Sequence, residues 1–254
     1  VNPQNLPRPT IDDVDACIEE MKAQDPTAIS GEPMEALASC LRGMLIASDD
    51  HRLIVSDYAS IEARALAWLA DHADVLQTFK DGKDIYKATA SGMFNVPYEQ
   101  INYDQRFVGK VATLALGYQG GVRAFQKMSE AYGTEVSEVQ ALKIRNDWRD
   151  ANAPIVQLWV DVEKAARNAI SYLGQAYDAA KGTFRVVNGD LLFKLPSGRI
   201  LSFPEASLTQ GERLMEIKYK GMNNHTHRWG EIKAYGGSLV QSITQAVARD
   251  ILAE

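Results

Sequence analysis

Near residue 180 the hydrophobic period of this chain changes from helical to strand-like, which limits its fold more than any other single feature. From Ser137 to Leu173 the apolar residues recur at helical spacing. Trp148, Ile155, Leu158, Trp159 and Val162 read as core, and Pro154 marks a break or kink. Beyond this block, Arg185-Val186-Val187 and Leu191–Leu195 read as short strands around Asn188-Gly189-Asp190, and Arg199–Phe203 follows a Pro196-Ser197-Gly198 turn. A helix-rich α+β architecture is the expectation.

The remaining elements agree with it. Three prolines hold residues 1–9 extended, and Thr10 is placed to cap a helix over 11–23 carrying Val14, Ile18 and Met21 on one side. After a loop rich in Pro and Gly, Leu53-Ile54-Val55-Ser56-Asp57 reads as a buried strand ending in an acid. Helices are predicted over 60–69, 84–93, 105–117 (capped by Asp104 and ended by Gly117, Gly120 and Gly121) and 241–252. The chain has 254 residues, 46% hydrophobic and 24% charged, with neither repeat nor low-complexity tract. That suits one large domain or two modest ones with a sizeable core, and excludes disorder and collagen. Its longest apolar runs are too short to span a bilayer, and no secretory leader is visible at Val1. Cys17 and Cys40 alone build neither a disulfide framework nor a four-thiolate zinc site, so a cytoplasmic setting is expected. His51, His72, His225 and His227 make no metal-ligand pattern with them.

The net charge of −6 argues against non-specific nucleic-acid binding, but it is unevenly spread. Residues 1–105 hold 8 basic and 18 acidic side chains, residues 106–180 hold 9 and 8, and residues 181–254 hold 10 and 7. An acidic first part suits metal binding; a more basic later part suits phosphate.

Two residue patterns carry chemistry. The first is Asp57-Tyr58-Ala59-Ser60-Ile61-Glu62-Ala63-Arg64. An acid at the end of a rigid strand is placed as a magnesium ligand, although strand-terminal acids also serve as turn residues and caps. The second is Arg106-x-x-x-Lys110-x-x-x-Leu114-x-x-x-Tyr118. Steps of four leave these residues along one side of a helix. Two cations, an aliphatic residue and a phenol in that order suit a nucleoside triphosphate, with phosphates on Arg and Lys and the sugar and base further on. A basic surface helix running into a buried end is the competing account.

Together the two patterns resemble the family A (polymerase I-like) DNA polymerases, phage type. Motif A of that family reads Asp-Tyr-Ser-x-Ile-Glu-x-Arg, with Ala59 here replacing the serine. Its finger helix carries Arg, Lys, an aromatic and Tyr at steps of four, and Leu114 stands here for the aromatic. Further landmarks fall in order: Asn2-Pro3-Gln4-Asn5-Leu6-Pro7-Arg8 before motif A, Asp84-Ile85-Tyr86 with Tyr86 for the usual histidine, Leu195-Pro196-Ser197-Gly198-Arg199, and Ile243-Thr244-Gln245-Ala246.

The resemblance implies the fingers and part of the palm of a right-hand polymerase. Residues 1–70 would be palm with motif A, 71–235 the fingers with nucleotide-binding helix 105–118, and 236–254 a palm helix. It implies template-directed DNA polymerisation, with dNTP and primer-template DNA as partners, no membrane, and two Mg2+ ions held by the Asp57 carboxylate and the Tyr58 carbonyl. Arg106 and Lys110 would hold the triphosphate, Lys110 also protonating the leaving pyrophosphate. Tyr118 would stack near the nascent pair, Glu62 would exclude a ribose 2′-hydroxyl, and Leu114 would alter discrimination against dideoxynucleotides. Tyr58 and Tyr86 join the nucleotide site; Gln245, Gln241, Asn5 and Arg199 fall on the DNA side.

The family's third motif is His-Asp-Glu, and no His-Asp pair occurs in these residues. The sequence is therefore expected to be a polymerase fragment with little or no catalysis of its own. The alternative is a non-catalytic nucleic-acid-binding remnant. A single-subunit RNA polymerase would share the fold, but Glu62 counts against it.

Overall fold

The computed structural model describes residues 6–7, 9–23, 32–131, 133, 135–211, 215–223 and 226–254. Asn5, Arg8 and His225 lie outside them. The chain divides into two compact units, one ending at Tyr58 and the other running from Ala59 to Glu254.

In the first unit, α1 (Val14–Lys22) and α2 (Pro33–Cys40) share a small core of Cys17, Ala36 and Cys40, with Val14, Ile18 and Met21 of α1 against it. The cap of α1 is Asp13, whose carboxylate accepts from the Ala16 amide at 2.9 Å. Thr10 instead turns to α2, its amide donating to Ser39 Oγ at 3.1 Å. The helix Pro33–Cys40 arises where a loop is expected, with Pro33 at its first position, where a missing N–H costs no hydrogen bond. The expected buried strand over 53–57 is a correction. Residues 51–58 are irregular and exposed, with Val55 91% accessible. Both sheets are built from residues 176–234, so this apolar run has no ladder among the described residues to satisfy its amides and carbonyls.

The second unit is helical before it is β. Its helices are α3 (Ile61–Leu69), α4 (Ala73–Lys80), α5 (Ile85–Phe94), α6 (Tyr103–Leu116), α7 (Val122–Ala131), α8 (Glu138–Ala151) and α9 (Ala153–Ser171), with α10 (Gly236–Ala253) after the sheets. Asp84 caps α5 by accepting from the amides of Tyr86 and Lys87. The cap of α6 is Asn102 rather than Asp104: Asn102 accepts from the Gln105 amide at 2.9 Å while Gln105 reaches back to the Asn102 amide at 3.1 Å. The break expected at Pro154 falls at Asn152, which follows α8 and precedes α9, leaving Pro154 in the first turn of α9. Across it, Trp148 and Trp159 stack with ring centroids 6.1 Å apart. All five expected core residues of this block are buried.

The strands β1 (Ala176–Ala179), β2 (Gly182–Val187), β3 (Asp190–Lys194) and β4 (Ile200–Phe203) form an antiparallel sheet in that order. Asn188 and Gly189 both have positive φ in the two-residue turn, as the favoured hairpin geometry requires. A second antiparallel sheet, β5 (Ser207–Gln210), β6 (Met215–Met222) and β7 (Trp229–Ala234), was not anticipated. One core joins helices and sheets, centred on Val111, Leu116, Phe125, Trp159, Val162, Phe184, Phe193 and Ile243. The result is helix-rich α+β, and no described helix is long and apolar enough to cross a membrane.

Candidate nucleotide site

Helix α6 is the spine of the site, and it lies unusually close to α5. A Cβ on the buried Gly109 would sit 2.2 Å from the Tyr86 carbonyl oxygen, so only glycine permits this approach. The closeness brings the start of α6 against the cap of α5. There Arg106 Nε donates to Asp84 Oδ2 at 2.6 Å, and its guanidinium lies 5.5 Å from the centre of the Tyr86 ring. Burial pushes the Asp84 carboxyl up, but the Arg106 hydrogen bond, the Lys87 and Tyr86 amides and the guanidinium charge outweigh it and hold the group below its ordinary value. Lys110 follows one turn on, half-buried, and Leu114 one turn further, exposed.

The far end of α6 is held by different means. Trp159 Nε1 donates to the Gly117 carbonyl at 3.0 Å, and Gln119 Oε1 accepts from the Gly237 amide at 2.8 Å. Gly237 must lack a side chain, since a Cβ there would lie 2.3 Å from the Tyr118 carbonyl. So fixed, the Tyr118 hydroxyl donates to Glu62 Oε2 at 3.1 Å, and Gln245 Nε2 reaches Glu62 Oε1 at 3.5 Å. Burial first, then the charge and hydrogen bond of Glu62, push the Tyr118 phenol well above the ordinary tyrosine range. Glu62, Leu114 and Tyr118 line a cavity of about 100 Å3 together with Thr113 and Trp148.

Arg106, Lys110, Leu114, Tyr118, Glu62, Tyr86 and Gln245 therefore all belong to one unit of the chain, linked through α3, α5, α6 and α10. Asp57 and Tyr58 belong to the other unit, where both are exposed. Gln241 lies exposed on α10, one turn before Gln245. Arg199 is engaged within the fold, donating to Asp250 Oδ1 at 2.6 Å and to the Ala246 carbonyl at 2.9 Å. Sequence reasoning singled out Asp84 only as part of a family landmark. Its position as a cap, with a cation 22 residues later on the neighbouring helix, was the available signal.

Two magnesium ions do not fit the donors described. Asp57 offers one carboxylate and Tyr58 one carbonyl, and no group of three or more His, Cys, Asp or Glu among the described residues is placed to hold a metal. Magnesium sites of this kind use several oxygens, more than these two groups offer.

Comparisons with known proteins identify the family. The family model for DNA polymerase family A matches residues 27–173, and the chain belongs to that family. It is 38% identical over its whole length to the DNA polymerase of Bacillus phage SP02, of which it covers 40%. It is 35% identical to DNA polymerase I of Pseudomonas aeruginosa across 40% of the chain and 11% of that enzyme. With the thermostable DNA polymerase I of Thermus aquaticus it shares 29% across 56% of the chain and 16% of that enzyme. The chain thus spans less than half the length of these relatives. A solved structure of the POL domain of Pol1 from M. smegmatis, in complex with DNA primer-template and dNTP, covers 96% of the chain at 15% identity with a TM-score of 0.48.

Proposed function

We propose that this chain is the fingers and part of the palm of a template-directed DNA polymerase, and that α6 with its neighbours binds the incoming dNTP. The palm would comprise residues 1–70 and 236–254, the fingers 71–235. The observation that carries the reading is α6 and the turn that follows it: two cations on the helix and, two residues beyond its end at Leu116, a phenol fixed on Glu62. In this reading the triphosphate sits at Arg106 and Lys110, with Tyr86 beside it. Phosphoryl transfer chiefly requires charge neutralisation and positioning from the protein, which Arg106, held on Asp84, and Lys110 would supply. Lys110 holds a proton at Nζ for the departing pyrophosphate. Tyr118 offers its ring to the base pair, and Glu62 fills the space a 2′-hydroxyl would need.

Asp57 and the Tyr58 carbonyl would offer one carboxylate and one carbonyl toward Mg2+, too few oxygens for two ions, so nucleotidyl transfer by this chain alone is expected to be weak or absent. Gln241 and Gln245 would follow the primer-template. Arg199 would serve DNA binding mainly by holding α10 through Asp250 and Ala246. Titration with a fluorescent dNTP tests the reading. Binding should weaken about tenfold in Arg106→Ala and in Lys110→Ala. A chain that does not bind the probe, or binds it equally well without both cations, would refute it.

A further inference from the structure

The second sheet has two unlike faces. Ile217 and Ala234 are buried on the inner face, and Tyr219 packs edge-on against Phe203 at 5.2 Å. Arg167 of α9 fastens the start of β6 by donating to the Met215 carbonyl. The outer face, set by strand alternation, carries Lys218 opposite Lys233, Lys220 opposite Glu231, and Met222 opposite Trp229. Like charges directly across a ladder repel, and here each lysine is offset by a diagonal glutamate: Lys218 with Glu231 at 2.7 Å, Lys233 with Glu216 at 2.8 Å.

Two carboxylates do not neutralise this face. Residues 215–234 contain four Lys and Arg against two Glu, in a chain whose net charge is −6. Glu231 is held below its ordinary range by the Lys218 hydrogen bond and then by the charges of Lys218, Lys220 and Lys233 around it. Beyond the lysines, Trp229 is 63% exposed, with Met222 exposed across from it and Arg228 next to it in the chain. Trp148 and Trp159, by contrast, are 2% exposed, and Trp68, 39% exposed, lies under the Lys181 ammonium. A strand ladder with surplus cations and an uncovered indole matches a ligand that has regularly spaced anions and free aromatic faces. Duplex DNA hides its base faces, so the indole would have nothing to stack on.

We propose that the outer face of β5–β7 binds single-stranded DNA, with a base stacked on Trp229 and phosphates at Lys220 and Arg228. The identity of the strand as DNA rests on the polymerase reading; the site shares no residue with the α6 stripe.

The test is fluorescence anisotropy of a labelled oligothymidylate of about 16 nucleotides with the whole chain at low salt. Trp229→Ala should weaken binding about tenfold, and Trp229→Phe should keep most of the affinity. The oligonucleotide should quench tryptophan emission in the parent but not in Trp229→Ala, and Lys220→Gln should flatten the salt dependence. Arg106→Ala should leave all of these readouts unchanged, so failure of the nucleotide site and failure of this one are separable. Equal affinity and quenching in parent and Trp229→Ala overturn the proposal. So does absence of oligonucleotide binding, which would leave an acidic protein surface as the partner of this face.

Discussion

The Tyr118 hydroxyl rests on the Glu62 carboxylate at 3.1 Å, joining two residues 56 positions apart, while Gln245 approaches the other carboxylate oxygen. Helix α3, the turn after α6 and helix α10 thus meet at one acidic side chain. An exposed carboxylate at a helix start has a bland reading as a group favoured by the helix dipole. Its two partners set it apart from that reading, because they fix where its oxygens can be.

Glu62→Ala is expected to reduce the preference for deoxyribonucleotide over ribonucleotide by about tenfold. Competition of dATP and ATP against a fluorescent dNTP measures it. Unchanged sugar preference would remove Glu62 from this role.

The same pair makes a titration prediction. With Glu62→Gln the charge that opposes phenolate formation is gone, so Tyr118 should ionise at lower pH than in the parent. Burial remains, and the phenol should stay above the ordinary tyrosine value. NMR of ring-labelled tyrosine follows it directly.

Asp84 and Arg106 give a stability prediction with a definite sign. The folded carboxyl titrates below its unfolded value, so its contribution is complete above about pH 4 and is lost as pH falls through the folded-state value. Asp84→Asn keeps a competent cap and removes the ion pair, which is partly exposed and is worth about 1 kcal/mol. Urea midpoints of parent and variant should differ at neutral pH and converge in acid. Freed from Asp84, Arg106 should also bind the triphosphate several-fold more tightly.

Gly109→Ala tests the α5–α6 approach. Alanine ordinarily favours a helix over glycine by about 1 kcal/mol. Here its methyl would meet the Tyr86 carbonyl, and the helices must part, for a net loss of about 2 kcal/mol by urea unfolding.

Leu114→Phe should be nearly neutral for stability, since Leu114 is exposed. It should change the relative affinity for dideoxy- and deoxynucleotide by a few-fold, because a ring would narrow the cavity beside Glu62 and Tyr118. Identical ratios in both chains would exclude Leu114 from sugar discrimination.

The elements that were legible in the sequence are those with a local signal. Asp84 before α5, Ser137 before α8 and Asn188-Gly189 between β2 and β3 each act within a few residues. The α6 stripe was legible because spacing alone puts Arg106, Lys110 and Leu114 on one side. Helix α7 was missed because Gly120 and Gly121 read as the end of one helix, when Val122 begins the next directly after them. The alternation Ile217, Lys218, Tyr219, Lys220 was there to be read, but charged residues inside a strand hide it from a search for apolar runs. The run 53–55 misled in the opposite sense: its apolar character is real, but strand formation depends on a neighbour that no local pattern reports. The meeting of Glu62 with Tyr118 and Gln245 depends on tertiary packing and had no sequence signal of its own.

The joint at Asn152 has a consequence for how this chain tolerates changes of length. One residue separates α8 from α9, and α9 carries Trp159 to the Gly117 carbonyl and Glu163 to the Gly236 amide at 2.8 Å. An inserted residue there would rotate α9 by about 100° about its axis and swing both groups off their partners. The Asn188-Gly189 turn between β2 and β3 is exposed, and exposed hairpin tips tolerate insertion. Variation in loop length among relatives should therefore collect at the hairpin tips and be absent between Ala151 and Ala153, whatever happens to the residues themselves.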